Sequence, residues 1–303
     1  MNSSYLFINN LRVHYLSWDQ DEGGRPVVLL HGLGSNARLW ELVAQELGGQ
    51  DLMLFAPDLR GHGLTDKPDG EYGFATFRRD LLAFIDAFPL ERPVMVGYGW
   101  GALLALDYAA AFPIGPRATA GLFLVDGGLH QLSDDPGVSR EHWQEYGSPL
   151  RVEGFSQEEY LSRLAEQFQP WGLDERVAQI LLTDCEVTED ETLEPRLRFD
   201  HQMQITRAMQ EFNSSEWLAR VRCPIQAALA VPPAMGAAIG ALVDKDRRAP
   251  FERRAEFEKD IQRVQDLLPN MQIHQMPDTI FHSPLQRPAE LAQLIAGFTD
   301  RLP

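Results

Sequence analysis

An α/β fold, a mostly parallel sheet with helices on both faces and an inserted helical segment, is predicted by three features of this 303-residue chain. Short, wholly apolar runs alternate with longer stretches of helical periodicity. The alternation stops for about ninety residues in the middle, and it then resumes to the C-terminus. Apolar runs without polar alternation are strands buried on both faces, and strands alternating with helices build a parallel sheet.

Taken in order, residues 5–8 and 11–18 alternate around Asn9-Asn10 and predict a β-hairpin. Residues 26–30, 52–56, 93–96 and 121–125 (PVVLL, LMLFA, PVMV, GLFLV) predict buried strands, with helices over 37–47, 74–88 and 102–112 between them. Residues 129–221 then hold Trp143, Trp171, Trp217 and acidic helix-like stretches such as 157–167, which predict a helical cap. The pattern resumes with a strand at 224–231, a helix at 251–268, a strand at 271–275 and a terminal helix at 288–302. The domain division is therefore a core of 1–128 and 222–303 with a cap of 129–221. Internal repeats and low-complexity tracts are absent from the sequence.

Composition narrows the function. Lys+Arg 27 against Asp+Glu 44 gives a net charge of −17, which repels nucleic-acid phosphate and anionic membrane surfaces. The expected partner is a small molecule. Cys185 and Cys223 lack metal-site spacing, and one pair in a chain of this length is not a disulfide framework, so a reduced cytoplasm is expected. The N-terminal segment lacks the basic and apolar regions of an export signal, and no apolar run is long enough to span a membrane. Nothing in the sequence implies a metal or a cofactor, and it leaves the oligomeric state open.

Residues 94–101 read VMVGYGWG. An apolar strand ends in a glycine-spaced turn that opens a helix, which is the context of the G-x-S-x-G nucleophile elbow, with glycine at the central position. Three further landmarks accompany it in order: His31-Gly32-Leu33-Gly34 after the first buried strand, the turn DLRGHGLTD at 58–66, and Phe281-His282-Ser283-Pro284 followed by Arg287-Pro288. With these motifs the chain resembles the α/β-hydrolase superfamily with a cap domain, over nearly its whole length, and the resemblance implies the α/β-hydrolase fold. The cap is similar to that of bacterial hydrolases with Asp126-Gly127-Gly128 after the sixth strand and Pro195-Arg196-Leu197 in the lid.

The resemblance implies roles position by position. His282 lies on the loop that carries the general base. The loop after the seventh strand, which carries the acid in many relatives, has no carboxylate here before Asp244; some haloalkane dehalogenases carry it after the sixth strand, which points to Asp126. The backbone N–H groups of Leu33 and Trp100 form the oxyanion hole, which needs main-chain geometry alone. His31 shapes its loop, and the 58–66 turn, His62 included, is architectural. Phe168, Trp171, Met203 and Met209 are candidates for the apolar walls of a substrate pocket under the cap. A dehalogenase or epoxide hydrolase would require aspartate where Gly99 stands, and a dehalogenase an asparagine in place of Leu33.

Gly99 removes the nucleophile, because neither an acyl-enzyme nor an alkyl-enzyme forms without an oxygen or sulfur there. Three readings follow. The protein hydrolyses a small, largely apolar ester or carbonyl compound through water activated by His282 and Asp126; or it is a non-catalytic protein that binds such a ligand; or Gly99 is an engineered replacement of the nucleophile of an active hydrolase. The first two differ in whether the remaining groups are still arranged for chemistry.

Overall fold

The structure, a computed structural model, describes residues 1–18, 23–88, 90–129, 154–168, 174–231, 250–279 and 282–303, the side chains of 167–168 and 250–257 excepted. An eight-stranded sheet runs in the order β1-β2-β4-β3-β5-β6-β9-β10, and a two-stranded ribbon pairs β7 with β8. The strands are β1 (Asn2–Ile8), β2 (Leu11–Trp18), β3 (Arg25–Leu30), β4 (Leu52–Pro57), β5 (Val94–Tyr98), β6 (Gly121–Val125), β7 (Cys185–Val187), β8 (Leu193–Pro195), β9 (Ile225–Val231) and β10 (Gln272–Pro277). From β4 to β10 every pairing within the large sheet is parallel, and the β1–β2 hairpin joins antiparallel through β2. Asn9 and Asn10 turn that hairpin with φ of 50° and 59°, the left-handed pair that matches strand twist.

Burial on both faces explains why the inner strands read as unbroken apolar runs. In β3, Val27 and Leu29 enter one core with Trp40 and Val43 of the neighbouring turn and helix, while Val28 and Leu30 enter the other with Phe77 and Leu104. Successive side chains of a strand point to opposite faces, so each layer takes every second residue. The first layer holds α1 (Glu41–Glu46) and the C-terminal α10 (Pro288–Thr299); the second holds α2 (Phe74–Ala87) and α3 (Trp100–Ala111). Residues 100–110 of α3 are all buried, as its Ala- and Leu-rich sequence requires of a helix covered on every side.

Between β6 and its parallel neighbour β9 the chain leaves the sheet. The described part of this insertion contains α4 (Gln157–Phe168), α5 (Glu175–Leu182), the β7–β8 ribbon, α6 (Phe199–Glu211) and α7 (Ser214–Arg220). Side-chain caps fix two of these starts: Asp174 accepts from the Arg176 N–H, and Asn213 from the Glu216 N–H. After β9, α8 (Pro250–Leu267), β10, a short turn of helix α9 (Ser283–Gln286) and α10 complete the fold. Cys185 and Cys223 are free thiols. Among the described residues, no helix is long and apolar enough to cross a membrane, and no cluster of three or more His, Cys, Asp or Glu could hold a metal.

The expected helix over 37–47 begins instead as a 3-10 turn, Ala37–Trp40, before α1. Two side chains cause this: Asn36 caps the Arg38 N–H, and the Ala37 N–H is taken by the Asp58 carboxylate at 2.7 Å. At α3 the helix starts two residues earlier than expected, because the Gly99 carbonyl already accepts from Ala102 N–H at 3.1 Å and Leu103 N–H at 3.3 Å.

Candidate active site at the ends of the parallel strands

The elbow is a close crossing of backbones. Gly99 lies between β5 and α3 at φ 53°, ψ −113°, where an L side chain is strained, and its N–H donates to the Val125 carbonyl at 2.9 Å. A Cβ at Gly97 would overlap the Gly101 carbonyl, and one at Gly101 would overlap the carbonyls of Leu30 and His31. Position 99 differs in kind. A Cβ there would meet only the Gly32 Cα, at 3.9 Å, so a side chain at the central position is strained by conformation and has room.

The loop after β3 faces this point. His31 accepts the Leu59 N–H on Nε2 at 3.0 Å and holds the Gly32 carbonyl through Nδ1 at 2.8 Å, and burial lowers its pKa. That is the loop-shaping role expected of it. Leu33 is partly buried against the core face that contains Trp100, and Gly34 turns the chain with φ 74°. Trp100 is buried at the head of α3, with its ring 4.9 Å from Phe74 and 5.4 Å from Phe77.

Across the elbow, Asp126 ends β6 with φ 47°. Its Oδ1 accepts the Ala230 N–H and its Oδ2 the Ser283 hydroxyl, each at 2.5 Å. The second bond joins Asp126 to the residue that follows His282, and each oxygen retains a lone pair. Loss of hydration raises the Asp126 carboxyl to about 6, against the lowering effect of these two bonds. His282 takes φ 120°, a conformation rarely adopted outside glycine, and its enclosure lowers the imidazole to about 4. Tyr98, the residue before Gly99, is hydrogen-bonded to the His282 backbone, and burial raises its phenol. Backbone strain at Asp126 and His282 concentrates at this corner, as it does at sites where side chains are aimed for use.

The 58–66 turn is a network centred on Asp58 that also ties down the loop after β3. Asp58 bonds His14 Nδ1 at 2.8 Å and accepts the N–H groups of Ala37 and Leu64, each at 2.7 Å; burial pushes its carboxyl up, but His14, His31 and the Ala37 N–H together hold it below the usual range. His62 is buried, bonded through Nδ1 to the Arg60 carbonyl and lowered to about 3 by burial. This turn holds structure together.

The four lining candidates fall apart. Met203 lines a groove of about 700 Å³ formed by Glu71, Tyr72 and Gly73 against α6; Gly99, Asp126 and His282 are not among its walls. Met209 packs, partly buried, against the core that holds Phe212 and Leu218. Phe168 ends α4 with its side chain outside the description, and Trp171, Trp143 and Asp244 lie outside the described residues. The sequence reading missed the pairing of Asn36 with Asp184 and that of Ser283 with Asp126; Ser283 and Asp126 are 157 positions apart, so no local pattern marks the pair.

With fold and corner in place, the chain identifies its relatives. Residues 27–294 match the alpha/beta hydrolase family, and the chain belongs to that family. Among curated relatives, the AB hydrolase superfamily protein YisY of Bacillus subtilis is 33% identical over 98 residues, 32% of this chain and 37% of its own. A 2-hydroxy-6-oxo-2,4-heptadienoate hydrolase of Pseudomonas putida is 37% identical over 94 residues, covering 30% and 34%, and a haloalkane dehalogenase of Agrobacterium fabrum is 36% identical over 97 residues, covering 32% of each. Mycobacterial relatives at 39% identity are matched over 26% of their length. Solved structures extend the likeness to the whole fold: E-2-(acetamidomethylene)succinate hydrolase aligns with TM-score 0.73 at 18% identity over 99% of both chains. The thioesterase domain from the curacin biosynthetic pathway aligns with TM-score 0.72 at 19% identity, over 97% of this chain and 99% of its own.

Proposed function

We propose that the protein is a capped α/β hydrolase of small, largely apolar esters or carbonyl compounds whose corner lacks only the nucleophilic side chain. In this reading residues 129–221 form the cap over a core of 1–128 and 222–303. The observation that carries it is the geometry of Gly99: the elbow keeps its left-handed backbone, and open space lies where a serine side chain would stand. Water takes that place, His282 draws its proton as it attacks the substrate carbonyl, Asp126 orients the imidazole, and the Leu33 and Trp100 N–H groups receive the developing oxyanion. His282, lowered to about 4, is neutral at pH 7 and is therefore in the form that accepts a proton. Such an arrangement supports modest rates, because oxyanion stabilisation and binding alone retain on the order of 10³ to 10⁴ fold over water when triad residues are removed.

The test is a screen of short-chain aryl and alkyl esters with the chain as it stands. Expected are steady turnover without a burst, no covalent labelling by a fluorophosphonate, and loss of most activity in His282→Ala. Stoichiometric labelling of Ser35 or Ser283 would overturn the water mechanism. Tight binding of carbonyl ligands with no turnover in any variant would establish a binding protein instead.

A further inference from the structure

The loop that carries Leu33 is gripped by carboxyls from two sides. From the sheet, Asp58 takes the Ala37 N–H. From the insertion, Asp184, in the turn between α5 and β7, holds the two residues after Gly34. Asn36 Nδ2 donates to Asp184 Oδ1 at 2.6 Å, and the Ser35 side chain is hydrogen-bonded to the same carboxyl. Asn36 is 4% exposed, and it is fully committed: Nδ2 also reaches Thr183 Oγ1 at 2.8 Å, and Oδ1 accepts the Arg38 N–H at 2.9 Å. The turn that presents Asp184 is itself fixed, by Asp184 N–H to the Leu181 carbonyl at 3.2 Å and Arg196 N–H to the Asp184 carbonyl at 2.9 Å.

We propose that Asp184 is a positioning residue of the oxyanion loop: by clamping Ser35 and Asn36 it sets the Leu33 N–H, so the insertion and the electrophilic half of the site are seated together. The assignment of Leu33 as a donor rests on the functional reading above; the clamp itself does not.

Asp184 faces Asp58, Arg196, Tyr98, Tyr160 and Cys185. Arg196, the cation among them, directs its guanidinium to the Thr183 carbonyl at 3.1 Å and to Glu186 at 3.4 Å. Burial raises the Asp184 carboxyl well above the ordinary range, reinforced by the negative charge of Asp58, while the hydrogen bonds from Asn36 and Ser35 favour its charged form.

Hydrogen exchange of peptides spanning 32–40, corrected for intrinsic rates, tests this in the starting chain, Asp184→Asn and Asp184→Ala. Removing the acceptor in Asp184→Ala should lower protection by about tenfold, the usual consequence of unpairing a buried donor. Asp184→Asn keeps an accepting oxygen, so it should stay protected. Unchanged protection in Asp184→Ala, or equal loss in Asp184→Asn, would overturn the clamp, and if the alanine variant does not fold, Ser35→Ala, which removes one of the two donors to the carboxyl, should lower protection in its place, unchanged protection there overturning the clamp. If Gly99→Ser hydrolyses esters, adding Asp184→Ala should lower kcat with KM little changed; an unchanged kcat would overturn its hold on the Leu33 donor. If Gly99→Ser is inactive while exchange behaves as stated, the functional reading fails and the clamp stands.

Discussion

Asp58 and Asp126 both follow central parallel strands, β4 and β6, and both are enclosed, yet they have opposite surroundings. Asp58 is met by His14 and two backbone N–H groups and stays charged below the usual range. Asp126 has one N–H and one hydroxyl, no cation among its described partners, a left-handed backbone, and a carboxyl raised to about 6. A buried carboxylate met by a cation and several donors is held charged, whereas one with two neutral donors has its pKa pushed up by burial, the environment that the proposed role of Asp126 would use. The largest expected effect breaks this comparison at its stronger end. Asp58→Asn leaves at least one buried donor unmatched and should cost about 3 kcal/mol of stability in chemical unfolding. Asp126→Asn removes a poorly compensated charge and should stay within about 1 kcal/mol at pH 7 to 8. Equal losses from the two substitutions would erase the distinction.

The next effect is in pH. His282 has a folded pKa of about 4 against the model-peptide value of 6.5, so its contribution is present above pH 6.5 and is lost as pH falls toward 4. Asp126 runs the other way: its contribution is present below pH 3.8 and is lost as pH rises to about 6. In the unsubstituted chain the two partly cancel. His282→Asn should recover about 2 kcal/mol of stability at pH 4.5 relative to its effect at pH 7.5, read from urea midpoints at the two pH values. An identical effect at both would show that His282 is not held neutral by its enclosure.

What the sequence revealed follows from the range of the interactions. The inner strands are legible because burial on both faces leaves unbroken apolar runs, as in Val27 to Leu30. The elbow is legible because Gly97 and Gly101, on either side of Gly99, are both needed within five residues by one turn. The mixed 3-10 start at Ala37 was not, because it depends on Asp58, 21 positions away. Nor was the bond from Asn36 to Asp184, which spans 148 positions and joins two stretches with no shared pattern. The glycine spacing marked where the site is; which polar groups surround it was decided by tertiary contacts.

The central claim, that the corner is competent and wants only a nucleophile, is tested most directly by Gly99→Ser. Serine has room at this position but must adopt φ 53°, so the variant should lose about 1 kcal/mol of stability. It should also gain ester hydrolysis, react with a fluorophosphonate at position 99, and lose turnover as pH falls below the lowered His282 pKa instead of near 6.5. Thermal unfolding and ester turnover measured on the same preparations should move in opposite directions. A folded Gly99→Ser protein that is no better than the Gly99 chain across acyl esters of several sizes, and is unlabelled at position 99, would contradict the account.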